Sequence, residues 1–321
     1  KSHGFCVHDS STETYGMRLT VLSRLVKLIR FCWKHNIDLI YAHLEPANFI
    51  AVLAQYFIKS RVIVCRHHVD AARLYSFEND LSYRLTYKLA KDIIVVSNRA
   101  KDYMVHHEQV NSNRIHVVPL SYNFDLYQPI IQENVEAILK KYSSDILLLS
   151  VFRLTKYKRP FLSISLVKEL MRDGIDAKLI ILGQGELASK LKKHVASEGL
   201  DNSVFFEGHV NNVQEYMTAA DILVHPSLLD SSSIVLKESG IVKLPIIACH
   251  DVGDFDEVID DKVNGFLVDK DNFVAEAKSI INQYTIDRVS LKNVGKASEL
   301  NVRSRFSIFD AKAYYERYFH N

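Results

Sequence analysis

Two short segments of this 321-residue chain bring together side chains suited to holding a phosphorylated ligand. Arg153-Leu-Thr-Lys-Tyr-Lys158 directly follows the apolar run DILLLSV (145–151). A loop leaving a parallel strand there sets two cations at the carboxyl edge of a sheet, where a diphosphate leaving group needs positive charge. A solvated basic loop has the same spacing. Asp230-Ser-Ser-Ser-Ile-Val-Leu-Lys-Glu238 follows a second run, ADILVHP (220–226), and opens a predicted helix. Ser231 to Ser233 can cap that helix and turn backbone N–H groups toward a phosphate, and a carboxylate two turns on can accept from sugar hydroxyls. A plain capping run explains the serines equally well.

A third segment, Gly183-Gln-Gly185-Glu-Leu-Ala188, follows a strand, opens a helix and is succeeded by Glu207 at the end of the next strand. This spells the dinucleotide fingerprint with its ribose-binding acid and so raises an NAD-dependent oxidoreductase as a rival. Against that rival, the segment lies in the second strand unit of its sheet rather than the first. His67 and His68 end the strand-like run RVIVC, where an imidazole titrating near neutrality can hydrogen-bond a substrate hydroxyl or a developing charge, or simply be satisfied by backbone. His67-His68 and His106-His107 are adjacent pairs whose side chains diverge, so no metal site is expected from them.

Ten short β-branched runs carry these residues: 37–43, 61–67, 91–97, 114–119, 145–151, 177–183, 203–208, 220–226, 244–250 and 264–268. The 10 to 25 residues between most of them suit crossover helices, which predicts an α/β chain with parallel sheets. Residues 122–144 carry Pro129 and no strand pattern, so two domains are expected, 1–128 and 145–302, joined by a linker at 129–144. Nine of the eleven glycines lie from Gly174 onward, which assigns phosphate-cradling turns to the second domain. The net charge of +2 is too balanced to imply a nucleic-acid partner. Four dispersed cysteines without a CxxC pair read as reduced cytoplasmic thiols, and no run is long enough to span a bilayer. The chain opens on Lys1, which suggests a further segment upstream.

In this order and spacing the second-half segments resemble family 4 glycosyltransferases, whose second domain reads strand, G-R-L-x-x-x-K, G-x-G, P-S, E-x7-E and N-G-F-L-V. The matches are Arg153, Leu154 and Lys158; Gly183 and Gly185; Gly208; Pro226 and Ser227; Asp230 with Glu238; Pro245; and Asn264-Gly-Phe-Leu-Val268. Asp230 is one methylene shorter than the usual acid, Phe152 replaces a glycine, and Ser231 to Ser233 stand where a glycine-rich segment is usual. The first half is similar more weakly, through IDLIYAHLEPANFIAVLA, KLAKDIIVVSNRAKDYMV and RIHVVPLSYNFDLYQP. The family's opening strand and glycine-rich loop have no counterpart.

The resemblance implies the GT-B fold, two Rossmann-like parallel-sheet domains facing across a cleft, with a final helix (here 303–321) packing back on the first. It implies a retaining transfer from a nucleoside-diphosphate sugar to a hydroxyl of a glycan or lipid-linked acceptor, with no cofactor and no obligatory metal. Arg153 and Lys158 would bind the diphosphate, Glu238 the ribose, and Asp230 the transferred sugar. Ser232, Ser233 and Ile234 would offer backbone on the phosphate side, Gly183 and Gly208 would line the donor, and His67, or His68, would be the cleft histidine. Residues 18–35 interleave Arg18, Arg24, Lys27, Arg30 and Lys34 with apolar side chains. Such a helix can lie on an anionic bilayer at the inner face of the membrane, or pack on a core with its basic face solvated. A catalytically silent sugar-nucleotide-binding protein of the same fold is the remaining alternative.

Overall fold

The structure, a computed structural model, describes residues 17–44, 46–67, 81–124, 127, 129–309, 312, 313 and 316. They form two compact units, the first ending at Val117 and the second running from Val118 with Ser97–Arg99. All ten predicted runs contain a strand.

The first unit is a parallel sheet of β1 (Leu39–His43), β2 (Arg61–Arg66), β3 (Asp92–Val95) and β4 (Ile115–Val117), in that order. Its helices are α1 (Met17–His35), α2 (Ala47–Ala54), α3 (Leu81–Leu89) and α4 (Asn98–His106). Val62, Val64, Ile93 and Val95 form its core with α2 and α3. One charge is built into that interior. Arg66 is fully buried, bonded through both terminal nitrogens to Glu108 at 2.5 and 2.9 Å and surrounded by the rings of Tyr83, Tyr87 and Tyr103. Burial pushes the guanidinium pKa down, but Glu108 together with Tyr83 and Tyr87 more than offsets it and Arg66 stays charged.

The second unit is a six-stranded parallel sheet in the order β10-β9-β8-β5-β6-β7, made of β5 (Ile146–Val151), β6 (Ala177–Leu182), β7 (Val204–Gly208), β8 (Ile222–His225), β9 (Ile246–Cys249) and β10 (Phe266–Val268). The last three are buried at every residue, as expected for strands covered on both faces. Its helices are α5 (Gln132–Lys141), α6 (Pro160–Arg172), α7 (Ala188–Ser197), α8 (Val213–Ala219), α9 (Ile234–Ile241), α10 (Phe255–Val258), α11 (Phe273–Ile286) and α12 (Arg288–Arg305). The strand order reverses between β5 and β8, and a doubly wound sheet binds its ligand outside the carboxyl ends of the strands at such a point.

Two expected boundaries move. Residues 129–144 are not an extended linker, because Val135, Ile138 and Tyr142 recur at helical intervals and bury one stripe of α5 in the second unit's core. Nor does a break fall at 302, since α12 continues to Arg305. Beyond it Tyr122 and Ser307 pair, with the Tyr122 amide donating to the Phe306 carbonyl at 2.7 Å and the Ile308 amide to the Tyr122 carbonyl at 2.8 Å. Most of 310–321 lies outside the described residues.

Candidate active site

The loops leaving β5 and β8 meet at the switch point. After β5 the chain makes a single 3-10 turn, Lys156–Lys158, and enters α6 through Arg159, whose φ of 47° and ψ of 49° are left-handed, with Pro160 at the first helical position. Arg159 is held in that conformation from three sides. Its Nε donates to the Pro226 carbonyl at 2.6 Å, Nη1 to the Lys270 carbonyl at 2.6 Å, and Nη2 to Cys249 Sγ at 3.1 Å. The Leu228 amide donates to the Tyr157 carbonyl at 2.8 Å, a second tie between the two loops.

Lys158, thus placed, reaches Asp230. Its Nζ donates to Oδ2 at 2.7 Å, and His225 Nε2 reaches the same oxygen at 3.1 Å. Burial pushes the Asp230 carboxyl up, but the hydrogen bond from His225 and the Lys158 charge outweigh it and hold the group well below the usual carboxylate range. Burial, reinforced by Lys158, pushes His225 down against the pull of Asp230. The neutral ring therefore donates through Nε2, while its buried Nδ1 has no partner among the described residues. The rings of Phe152 and Phe255 stand edge-on to it at 5.9 and 5.5 Å. Arg153 is exposed and, among the described residues, its guanidinium is unpartnered, so it is available to an anion.

The serine run divides its work. Ser233 caps α9, accepting from the Leu236 amide at 3.4 Å. Its own amide is not open to a phosphate, because it donates to Asp254 Oδ1 at 3.1 Å. The Ser232 hydroxyl donates to Asp254 Oδ2 at 2.7 Å, and Lys237 Nζ bonds that oxygen at 2.6 Å and Ser232 Oγ at 2.5 Å. Lys237 is fully buried, 4.8 Å from the centre of the Phe306 ring. This Ser232, Lys237 and Asp254 cluster was not foreseen. Asp254 lies outside every recognised segment and comes under the serines because Gly253, at φ 54°, approaches the Asp230 and Ser231 backbone too closely for a side chain. Among the described residues the amides of Ile234 and Val235 have no acceptor, so Ile234 stays a candidate donor toward phosphate where Ser233 does not.

Glu238 sits one turn into α9, half-buried, with its pKa raised by burial. Tyr122 and Tyr127 lie near enough that, after burial itself, the Glu238 charge pushes both phenols up. The Tyr122 hydroxyl is buried without a partner among the described residues.

The glycines shape the loop. Gly183, at φ 127°, faces Phe152 so closely that a Cβ would stand 2.1 Å from its carbonyl oxygen, and a Cβ on Gly185 would meet Leu154 backbone at 2.6 Å. Backbone bonds from Leu154 to the Gln184 carbonyl and from Leu187 to the Leu154 carbonyl, both 3.0 Å, lock the two turns together. Gly208 accepts from the Gly183 amide at 2.6 Å. Gly183 and Gly208 therefore act by seating the Arg153 loop. Glu207, the ribose acid of the dinucleotide reading, bonds the Tyr142 hydroxyl and Lys141 instead, and this removes the oxidoreductase reading's second element.

In the first unit, His67 follows β2 and its Nε2 lies 2.9 Å from His43 Nδ1. His68 lies outside the described residues.

The chain is similar to known proteins. The family model for glycosyl transferases group 1 matches residues 131–300, and that for glycosyltransferase family 4 matches residues 5–125. An uncharacterized glycosyltransferase of Methanocaldococcus jannaschii is 27% identical over 240 residues, which are 71% of this chain and 59% of its own length. The chain thus spans about six-tenths of that relative. The N-acetylgalactosamine-N,N'-diacetylbacillosaminyl-diphospho-undecaprenol 4-alpha-N-acetylgalactosaminyltransferase of Campylobacter jejuni is 26% identical over 253 residues, 77% of this chain and 67% of its own. Among solved structures, Anabaena HepE in complex with UDP superimposes with a TM-score of 0.82 at 18% identity, covering 92% of this chain and 81% of HepE. With both models matched in chain order, the chain belongs to the group 1 and family 4 glycosyltransferases, built as two parallel-sheet α/β units of the GT-B fold.

Proposed function

We propose that this chain transfers a sugar, with retention of anomeric configuration, from a nucleoside-diphosphate sugar to a hydroxyl of a glycan or lipid-linked acceptor in polysaccharide assembly. The observation that carries the reading is Lys158 bonded to an ionised Asp230 at the switch point, beside an unpartnered Arg153. Lys158, fixed by Asp230, and the open guanidinium of Arg153 stabilise the charge that develops on a departing diphosphate, without an obligatory metal. Asp230, held below the usual carboxylate range, serves as an acceptor and not as an acid. It aims Lys158 and can accept from a hydroxyl of the transferred sugar. Glu238 is placed to accept from the ribose, the Ile234 amide to face a phosphate, and His67 is the first unit's candidate for a hydrogen bond to the sugar.

The names of similar proteins support this substrate class. HepE has been solved with UDP and with UDP-glucose, and the Campylobacter enzyme and an Escherichia coli galactosyltransferase are named for diphospho-undecaprenol-linked acceptors. Among the described residues no helix is long and apolar enough to cross a membrane. A lipid-linked acceptor would then be met from the surface. Helix α1 offers exposed Leu22, Val26 and Trp33 alongside exposed Lys27, Arg30 and Lys34, as a helix lying on the anionic inner face of a membrane requires.

The test is a melting-temperature panel of UDP, GDP, ADP and NAD, followed by transfer from the stabilising nucleotide's sugar conjugates and assignment of the product anomer by NMR. One nucleoside diphosphate should stabilise the fold, and Lys158→Ala should lose that effect and lower the rate at least about a hundredfold. An unchanged rate in Lys158→Ala would remove the diphosphate clamp. Donor binding without transfer to any acceptor extract would favour a silent binding protein, and an inverted product would refute retention.

A further inference from the structure

At the carboxyl ends of β1 and β2 three soft donors converge. His43 closes β1 and is the register partner of Cys65 on β2, and partners on adjacent parallel strands project from one face. His67 follows two residues after Cys65 and returns to that face, whereas Arg66 between them turns to the opposite one and enters the core. His43 Nδ1 and His67 Nε2 are 2.9 Å apart, their rings stacked at 5.2 Å and 25°, and these atoms and Cys65 Sγ all lie within 4.8 Å of one another. Zinc bonds of roughly 2.0–2.3 Å in a tetrahedral site hold ligand atoms about 3.3–3.6 Å apart, so side-chain movements of about an ångström close the set.

We propose that His43, Cys65 and His67 form a binding site for one zinc-class transition-metal ion, with three protein ligands and a fourth position open to water. Two imidazoles and a thiol select zinc, cobalt or copper over magnesium or calcium, whose preferred ligands are oxygens. Cys65 is buried, and binding displaces its thiol proton. The Tyr41 side chain hydrogen-bonds the sulfur, and the Tyr41 ring packs edge-on against His43 at 4.4 Å. A side chain that bonds one ligand and packs on another is the outer-shell support that fixes ligand orientation. All three ligands belong to the first unit and none is a residue of the diphosphate clamp; His67 Nε2 cannot ligate a metal and bond the transferred sugar at once, so a bound ion would take His67 out of that second role, and the metal site itself does not depend on the transferase reading.

Full-length, tag-free, metal-stripped protein titrated with Co2+ in a non-thiol reductant tests it. One equivalent should produce a near-ultraviolet thiolate-to-cobalt charge-transfer band with intense tetrahedral visible bands, and Zn2+ should displace both and raise the melting temperature. Cys65→Ser should abolish the charge-transfer band. His43→Gln, at an exposed position, should weaken Co2+ binding at least about tenfold while leaving the metal-free melting temperature unchanged, since even outer-shell changes cost ten- to a hundredfold. Cys249→Ser, outside the set, should leave the charge-transfer band and the Co2+ affinity unchanged. Absence of the band in the unaltered protein, its survival in Cys65→Ser, or undiminished affinity in His43→Gln would each overturn the site. If Cys65→Ser does not fold, the His43→Gln titration decides.

Discussion

His225 should make the second unit acid-sensitive through one identifiable proton. Its side chain is 2% exposed, its Nε2 is committed to Asp230, and its Nδ1 faces no acceptor, so a second proton would be buried, unsatisfied and close to the Lys158 charge. The folded pKa is therefore below that of the unfolded chain, about 6.5. The sign follows from linkage. Above about pH 6.5 neither state carries the proton and the full stability is present. As pH falls from there toward the folded pKa, the unfolded chain takes up a proton that the native state refuses, and stability is lost at up to about 1.4 kcal/mol per pH unit. His225→Gln keeps an N–H for Asp230 and removes the titration. Urea unfolding of both proteins at pH 7.5, 6.5 and 5.5, followed by circular dichroism, isolates the effect, because His43 and His116, also lowered by burial, are common to both. Between pH 6.5 and 5.5 the unaltered protein should lose about 1 kcal/mol relative to His225→Gln. Parallel curves would show that His225 titrates in the fold as it does in the unfolded chain, and a relative gain on acidification would show it protonated in the fold; either would sink the account of an ionised Asp230 fed by a neutral imidazole.

Gly183→Ala should destabilise the second unit by about 1–3 kcal/mol or more and weaken nucleotide binding with it, since the new methyl meets the Phe152 carbonyl; unfolding midpoints check this. Lys237→Met leaves the Asp254 carboxylate buried without its cation and should cost about 3–5 kcal/mol, part of which Lys237→Met with Asp254→Asn should recover in a double-mutant cycle. Glu238→Gln should weaken binding of a ribonucleoside diphosphate about tenfold or more, by the worth of a hydrogen bond to a charged group, and narrow its margin over the 2'-deoxy analogue, both read by calorimetry.

Much of this was legible before any coordinates. Ten apolar runs mark ten strands because each must be buried on at least one face, and parallel strands need helical crossovers that the spacing shows. Lys158 and Asp230, candidates on sequence alone, do meet in the structure, because a cation after one strand and an acid after its neighbour are brought together where the strand order reverses. What the sequence hides depends on register and on close backbone approach. His43 and Cys65 are 22 residues apart and meet only because β1 and β2 pair in that register. Asp254 meets Lys237 through the left-handed turn at Gly253, and nothing in either segment announces the other. The glycine pair misleads for the same reason: the residues that let a backbone approach a pyrophosphate equally let one loop approach another, and here the partner is Phe152 and Leu154.

Arg159 bears on how such a site can change over evolution. Two of its three partners are main-chain carbonyls, at Pro226 and Lys270, so the hydrogen bonds that brace these loops ask little of the side chains around them. Under the proposed function, side chains at the rim of these loops can then be exchanged without moving the frame that carries Lys158. Selection for a new donor or acceptor could proceed by substitution at the rim while the clamp stays in register, provided the arginine itself is kept.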